Sequence, residues 1–317
     1  MSIVVFVESS DKKVKKTSME AVFYASKIDN NVIAVALGSA HDESQLGELG
    51  KWGATDVLLD SANKFDSGDL SLSASAISEV MKTKNAKILV LATSPFGSGL
   101  AACVAVQLNA SLATNVAELP DTSSGFVVKR SIFTGKAFQN VNLTNENKVI
   151  AIKKNAVDVV ENGSVINISS FSAEVDGEGK IKVKDVDMIQ GDILLPEAER
   201  VVSAGRGLKG PENWGMVEEL ASVLKAATAC SKPVSDMDWR PHHEHVGQTG
   251  IKISPQLYIA IGISGAIQHL AGVNSSKTIV VINKDPEAPF FKEADYGIVG
   301  DAFEVVPKLI EALKANN

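Results

Sequence analysis

The stretch GISGAIQHLAG, residues 262–272, places serine, glutamine and histidine among glycines between two apolar runs. We predict that Ser264 caps a helix whose first residue is Gly265. The first backbone amides of a helix have no acceptor inside it, so these would suit a phosphate. Ser264 and Gln268 would lie one turn apart and could reach one ligand together. For His269 two interpretations remain: a satisfied core residue, or a residue that faces the ligand.

A second candidate for phosphate chemistry is AGRGLKG, residues 204–210, which follows an apolar run. Its three glycines match the pattern G-x-G-x-x-G, and the guanidinium of Arg206 could bind phosphate through two hydrogen bonds. The dinucleotide pattern also needs an acid about 20 residues further on, after a second strand. Asp236 is the nearest candidate, but it lies in a predicted loop. An ordinary turn and a phosphate site both remain open, and the match suggests an NAD(P)-dependent dehydrogenase as an alternative function.

Three other polar stretches have simpler explanations. The run HHEH, residues 242–245, contains three of the five histidines, and it fits a solvated loop better than a metal site. The loop HVGQTG, residues 245–250, is either a surface turn or an array of donors that faces a ligand. Residues 94–105 form a glycine-containing turn that lacks the Lys-Ser/Thr ending of a P-loop, which predicts a tight turn into a helix.

Composition narrows the class of protein. The chain has 317 residues, 45% of them hydrophobic and 22% charged, which is typical of a globular protein with two domains. A net charge of −7 argues against a nucleic-acid partner. Two cysteines, Cys103 and Cys230, fit free thiols in a reducing compartment. The start MSIVVFVESS resembles neither a secretory signal nor a transit peptide, so we predict a cytoplasmic protein.

Alternating elements must position these candidates. The first part predicts four buried strands separated by helices, hence a parallel sheet covered on both faces. The predicted strands are residues 3–8, 32–37, 56–60 and 87–93, and the helices 14–28, 45–52, 70–82 and 100–108. Further strands with few helices between them predict an antiparallel extension of the same domain. These strands are residues 126–133, 137–143, 148–152 and 181–186.

The α/β rhythm resumes after a connector near residue 190. Strands at residues 200–205, 278–283 and 296–300 and helices at 212–227 and 303–314 predict a second α/β domain. We therefore predict an α/β fold of two domains: an N-terminal domain, residues 1–190, with a parallel sheet and an antiparallel extension, and a Rossmann-like domain, residues 191–317.

Several segments together resemble the alpha subunit of electron transfer flavoprotein. The central one is LYIAIGISGAIQHLAG, residues 257–272, followed by TIVVINKDPEAPFF, residues 278–291, and ADYGIVGD, residues 294–301. With GRGLK at 205–209 and VGQTG at 246–250, they follow the family's order and spacing. The N-terminal half is similar more loosely, in its α/β layout and in KRSIFTGKAF, residues 129–138.

The resemblance implies an electron carrier without a substrate of its own, and therefore no enzyme. One FAD would lie in the C-terminal domain, and a partner beta subunit would hold AMP. The N-terminal domain and the beta subunit would form a base on which the FAD domain swivels, with the hinge near residue 190. Electrons would arrive from flavin dehydrogenases and leave to a membrane quinone reductase or another acceptor. An interaction module with vestigial nucleotide turns is a further alternative.

Individual roles also follow from the resemblance. Arg206 would lie near the pyrophosphate, His269 at flavin O2, and Thr249 near N5 of the ring. Lys232 stands where the family commonly has arginine, so the positive charge is kept while the planar, stacking fork is lost. The implied FAD-binding residues are Arg206, Ser231, Lys232, Val246, Gly247, Gln248, Thr249, Ser264, Gly265, Ala266, Ile267, Gln268, His269, Asn283, Asp301 and Ala302.

Overall fold

The structure, a computed structural model, describes residues 2–135, 137–175, 180–181, 183–184 and 194–315. The chain divides into two compact units, residues 1–187 and 188–317. The predicted domain boundary and the hinge near residue 190 lie outside the described residues and stay predictions. Over the described part of the chain, every helix is too short or too polar to cross a membrane.

The N-terminal unit is built on a mixed sheet of nine described strands in the order β11-β5-β4-β1-β6-β10-β7-β8-β9. Two short strands, β2 and β3, form a separate antiparallel ribbon. The strands are β1 (Ser2–Phe6), β2 (Ser9–Ser10), β3 (Lys13–Val14), β4 (Asn31–Leu37), β5 (Asp56–Asp60), β6 (Ala86–Ala92), β7 (Ser111–Val116), β8 (Val127–Ile132), β9 (Ala137–Asn142), β10 (Lys148–Ile152) and β11 (Ile168–Ser170). The helices are α1 (Lys16–Ser26), α2 (Glu43–Gly47), α3 (Leu70–Thr83) and α4 (Pro95–Gln107).

Both faces of the sheet are buried at its central strands β1, β4, β6 and β10, which explains the uninterrupted apolar runs there. Successive side chains of β1 alternate between two cores: Ile3 and Val5 pack on the side of α1, and Val4 and Phe6 pack on the side of α3 and α4. The antiparallel extension is confined to β7, β8 and β9, which pair antiparallel in sequence.

Three predictions about the secondary structure of the N-terminal unit were wrong. The strand at residues 148–152 is not part of the antiparallel extension, because β10 lies parallel between β6 and β7. Its consecutive buried residues are typical of an interior strand rather than of a half-exposed one. Residues 181, 183 and 184 are not in a strand, and the rest of the predicted strand 181–186 lies outside the described residues. Helix α4 begins early, since the Ser94 hydroxyl accepts a hydrogen bond from the Gly97 amide at 2.7 Å and caps it.

The C-terminal unit contains a five-stranded sheet in the order β13-β12-β14-β15-β16, with every pairing parallel. This confirms the predicted Rossmann-like architecture. The strands are β12 (Arg200–Ala204), β13 (Ala227–Cys230), β14 (Leu257–Ile261), β15 (Thr278–Asn283) and β16 (Tyr296–Val299). The helices are α5 (Gly215–Leu224), α6 (Lys232–Asp236), α7 (Ile267–Val273) and α8 (Ala302–Ala315).

The strand order reverses at β12, and this reversal creates a crevice. The chain passes from β12 to β13 on one side and then returns to place β14 on the other side. In open parallel sheets, ligands bind outside the carboxyl ends of the strands at such a point. Helices α5 and α8 pack on one face of the sheet, and Val246 and Phe290 belong to the core of the other face.

Candidate functional site

A cleft of about 490 Å³ lies at the carboxyl ends of β12, β13 and β14. This volume falls within the range of about 300–1,000 Å³ that is usual for ligand sites. Its walls come from the loops that follow these three strands, from the segment before β14 and from α7. The lining residues are Arg206, Ser231, Lys232, Pro233, Asp236, His245, Val246, Gly247, Gln248, Thr249, Gly262, Ile263, Ser264, Ala266, Gln268 and His269.

Glycines allow the loops after β12 and β14 to touch. A Cβ atom on Gly207 would lie 2.6 Å from Gly262 Cα, and one on Gly262 would lie 2.8 Å from Gly207 Cα. Helix α5 begins only at Gly215, after two short 3₁₀ turns. The segment 205–210 is therefore not a turn that opens directly into a helix, as the dinucleotide pattern requires, and two of its glycines serve loop packing instead.

The loop after β14 differs from its prediction. Gly262 has a φ of 61° and Gly265 a φ of 81°, so the backbone is left-handed at both positions and cannot be helical there. Helix α7 starts at Ile267, and no side chain caps it. The prediction that Ser264 caps a helix starting at Gly265 is therefore wrong, and so is the one-turn relation between Ser264 and Gln268.

The same loop leaves donors available. Within the described residues, no protein acceptor pairs with the backbone amides of residues 265–268. Unpaired amides need a partner from solvent or a ligand. An acceptor-rich anionic group in the cleft would satisfy them, as the sequence suggested, although the geometry is that of a loop leading into a helix.

The loop VGQTG is held against α7. The Gln248 amide donates to the Gln268 carbonyl at 2.7 Å, and the Ile253 amide donates to the Gly272 carbonyl at 2.8 Å. A Cβ atom on Gly272 would lie 2.5 Å from the Gly247 nitrogen, so a larger residue there would push the loop away. The loop is thus a fixed wall of the cleft, and not a free surface turn.

His269 combines features of a core residue and a site residue. Its side chain is buried, with 7% of the residue exposed, and Nε2 lies 2.8 Å from the Tyr258 hydroxyl. Nδ1 is also buried, and among the described residues it makes no hydrogen bond of acceptable distance and angle, although the Val246 backbone is near enough to act on the pKa of the ring. Burial lowers the pKa of this imidazole to about 4, so His269 is neutral at pH 7. It can therefore act as a hydrogen-bond donor or acceptor, but not as a cation.

The charged side chains of the cleft are few. Arg206 is exposed and forms no ion pair with any described residue. Lys232 Nζ lies 2.8 Å from Asp236 Oδ1, one turn along α6. The hydrogen bond from Lys232 holds the pKa of the Asp236 carboxyl below its usual range. One unpaired cation and one ion pair therefore set the local field.

Two family models together match most of the chain. Residues 3–189 match the electron transfer flavoprotein domain, and residues 194–274 match the electron transfer flavoprotein FAD-binding domain. The chain belongs to the electron transfer flavoprotein alpha subunit family. It is accordingly an electron-transfer protein and not an enzyme, its C-terminal region contains an FAD-binding domain, and the alternative of an NAD(P)-dependent dehydrogenase falls away.

Relatives from the same family are similar to this chain along nearly its full length. Electron transfer flavoprotein subunit alpha of Bacillus subtilis (strain 168) is 35% identical over 323 residues, covering 99% of this chain and 98% of the relative. The subunit alpha of Syntrophomonas wolfei is 34% identical over 313 residues, with 98% of each chain covered. The probable mitochondrial subunit alpha of Caenorhabditis elegans is 34% identical over 322 residues, covering 98% of this chain and 93% of the relative.

The residues of the cleft fit FAD. The buried Nδ1 of His269 lacks a protein partner, which a polar edge of a flavin could supply. The unpaired amides of Ala266 and Gln268, which line the cleft, and the unpaired guanidinium of Arg206 suit a diphosphate. The cleft therefore offers polar groups that could bind both the ring and the phosphates of the cofactor.

Most of the predicted site residues meet in the cleft, and five do not line it. Asn283 ends β15, and its Nδ2 donates to the Ile263 carbonyl at 3.0 Å. Asp301 lies just before α8 and accepts from the Phe303 amide at 3.0 Å. The residues outside the lining are Gly265, Ile267, Asn283, Asp301 and Ala302.

Five lining residues were absent from the predicted set. They are Pro233, Asp236, His245, Gly262 and Ile263. His245 is the most informative, because it was assigned to a solvated run, and only 6% of it is exposed. The sequence signal that could have identified His245 is its position directly before Val246, a predicted site residue.

The run HHEH is therefore divided. His242 and His243 are exposed, whereas Glu244 is buried, with its carboxylate bound by Arg240 at 2.6 and 2.8 Å. In the residues that the structure describes, no group of three or more possible ligands could hold a metal ion. Burial is the main reason that the pKa of His245 is lowered.

Proposed function

We propose that this chain holds one FAD in the cleft at β12, β13 and β14 and carries electrons from flavin dehydrogenases to an acceptor such as a membrane quinone reductase. When bound, the flavin supplies the redox chemistry, and the protein supplies orientation and electrostatics. The observation that carries the proposal is the buried, unpartnered Nδ1 of His269 in a cleft that also contains unpaired amides and a free guanidinium.

Each wall of the cleft has a separate task in this proposal. Arg206 and the amides of Ala266 and Gln268 bind the diphosphate, and Ser231 with Val246–Thr249 borders the ring. His269 donates a hydrogen bond to the ring's carbonyl edge. Asn283, which ends β15, and Asp301 and Ala302, which follow β16, lie at the same edge of the sheet and would reach the adenosine end.

The chain is proposed to work as a heterodimer. The relatives are named as alpha subunits, which supports a beta subunit as partner, and AMP would be bound by that partner. The cytoplasmic location stays a prediction, since one relative is named as mitochondrial.

An absorption spectrum tests the cofactor assignment. The full chain would be produced with its beta subunit, purified and denatured, and the released cofactor identified by chromatography. We expect a yellow protein with the two visible bands of oxidised flavin and release of FAD. A colourless protein that binds NADH would overturn the proposal.

The same bands test the electron donor. Bleaching of the visible bands by a reduced flavin dehydrogenase would support the assigned donor class, and unchanged bands with every such donor would contradict it.

A pair of cation variants tests the diphosphate assignment. Arg206→Ala removes a charge-assisted hydrogen-bond donor, and we expect it to weaken FAD binding about tenfold. Lys209→Ala is the matched control, because Lys209 lies over the Phe303 ring at 4.9 Å and does not line the cleft. Equal FAD affinity in the two variants would contradict the role of Arg206.

A further inference from the structure

Tyr258 brings a hydroxyl into the core of the C-terminal unit. It lies on β14 with no exposed surface, and its ring packs against those of His269 and Phe290. The hydroxyl is 2.8 Å from His269 Nε2. Burial raises the pKa of this phenol well above its usual value, so the hydroxyl keeps its proton. A buried hydroxyl that lacks a partner is unfavourable, and the contact with His269 supplies one.

The direction of this hydrogen bond follows from the available acceptors. Ser203 on β12 is the other buried hydroxyl near Tyr258. Its interaction with the phenol acts to lower the pKa of Tyr258, as a donor to the phenol oxygen would, and its Oγ makes no hydrogen bond of acceptable geometry with any described residue. Nε2 of His269 is therefore the acceptor that the Tyr258 proton can reach. A neutral imidazole that accepts at Nε2 carries its own proton on Nδ1. The reverse arrangement would leave the phenol proton with only the Ser203 hydroxyl nearby, which makes no hydrogen bond of acceptable geometry among the described residues.

We propose that Tyr258 is a positioning residue that holds His269 in the tautomer with the proton on Nδ1. Nε2 is occupied by Tyr258, so Nδ1 is the ring nitrogen left for a ligand, and His269 lines the cleft. In this tautomer His269 donates to a flavin carbonyl. In the other tautomer it would present a lone pair to that oxygen and repel it. The step from tautomer to redox tuning rests on the proposed function.

The wild-type protein provides the first test and needs no variant. The full chain, labelled with ¹⁵N and paired with its beta subunit, would be studied by NMR with and without FAD. The His269 resonances would be assigned by their loss in His269→Gln. We expect a proton on Nδ1 and none on Nε2. A proton on Nε2 in the FAD-loaded protein would overturn the proposal.

The second test compares two buried tyrosines. Tyr258→Phe removes the group that directs the tautomer. Tyr24→Phe is the control, because Tyr24 is fully buried in the N-terminal unit, where its hydroxyl donates to the Glu118 carbonyl at 2.9 Å. We expect Tyr258→Phe to populate the Nε2 proton and to lower the midpoint potential for the first electron, with FAD binding weakened no more than about fivefold. Tyr24→Phe should leave both the tautomer and the potential unchanged.

The outcomes separate this proposal from the proposed function. If Tyr258→Phe keeps the wild-type tautomer and potential, Tyr258 has no positioning role, even where His269→Gln shifts the potential. If Tyr258→Phe does not fold, the NMR measurement of the His269 tautomer in the wild-type protein still tests the proposal. A wild-type heterodimer that shows the Nδ1 proton but binds no FAD would support the tautomer assignment and overturn the proposed function.

Discussion

A neutral, buried histidine at the cleft makes the C-terminal unit sensitive to acid. The pKa of His269 is about 4 in the folded chain and about 6.5 in an unfolded one. Between these values the unfolded state binds more protons than the folded state. The stability that depends on neutral His269 is therefore complete above about pH 6.5 and is lost as the pH falls toward 4.

His269→Gln should remove this acid sensitivity, since glutamine does not titrate. We expect the wild-type chain to lose about 2 kcal/mol more unfolding free energy than the variant between pH 7.5 and pH 5. Urea unfolding of the flavin-free chains at both pH values would measure the difference. His245, whose pKa is also lowered, interacts electrostatically with His269, so the same comparison in a His245→Gln background would isolate the contribution of His269. Parallel pH profiles would show that folding does not lower the pKa of His269 and would contradict the prediction.

The ion pair of Lys232 and Asp236 predicts opposite effects of its two members. Lys232→Ala removes a cation from the cleft and leaves the Asp236 carboxylate unpaired, so the midpoint potential for the first electron should fall. Asp236→Asn leaves the cation unpaired and should raise it, with the double variant in between. Both side chains are about half exposed, at 57% and 48%, so these shifts should shrink in high salt. Unchanged potentials in a redox titration of all three variants would show that the ion pair does not act on the flavin ring. A large loss of FAD from Lys232→Ala would instead assign Lys232 to cofactor binding.

His269 and His245 show how far the role of a single residue can be predicted from the sequence. Local pattern left His269 open between core and site, and both descriptions hold, since one ring nitrogen is satisfied and the other is not. The partner Tyr258 could not be predicted, because it lies on a different element and the contact depends on how β14 and α7 pack. His245 was placed in a solvated run because its neighbours are polar, and only the packing of the next loop buries it.

At the scale of elements, the cleft depends on loops that approach more closely than side chains would allow. Gly265 follows β14 with a φ of 81°, and a Cβ atom there would lie 2.5 Å from Phe290 Cβ and 2.6 Å from its backbone nitrogen. Phe290 is fully buried, so it has no room to move away. Backbone strain and a steric clash therefore act at the same position.

Gly265→Ala should destabilise the C-terminal unit by about 2 kcal/mol or more, since the left-handed conformation alone costs about 1–3 kcal/mol outside glycine. Gly215→Ala is the matched control: nothing lies within 4 Å of its Cβ position, and it begins α5. That change should be neutral or stabilise by up to about 1 kcal/mol. Urea unfolding compares them, and equal stability of the two variants would rule out strain at Gly265.

Helices and strands could be predicted where the burial of their residues is uniform. They were harder to predict where strand pairing between distant parts of the chain sets their position. The bounds of β10 agree with the predicted residues 148–152, yet its parallel position between β6 and β7 depends on contacts distant in sequence. The start of α7 was placed too early, because the composition of residues 264–266 suits a helix start, whereas the φ of Gly265 does not. Short strands such as β11, which among the described strands pairs with β5 alone, gave no periodic signal of their own.

At the scale of the whole chain, each unit carries its own pair of hydrophobic cores on the two faces of its own sheet. The cleft is built entirely from residues of the C-terminal unit. A ligand that binds there stabilises the unit that folds around it, by about 2.7 kcal/mol at a free concentration one hundred times its Kd. Stabilisation by FAD should therefore be local to one half of the chain.

Amide hydrogen exchange with and without FAD would test this division. We expect exchange to slow up to about 100-fold in the C-terminal sheet and at the amides of residues 246–249 and 265–268, because opening of that unit must first release the cofactor. The N-terminal sheet should exchange at the same rate in both samples, since its cores contain no residue of the cleft. NAD at the same concentration is the control and should protect neither unit. Protection that spread equally over both sheets would show that the two units unfold together and that the cofactor stabilises the chain as a single cooperative body.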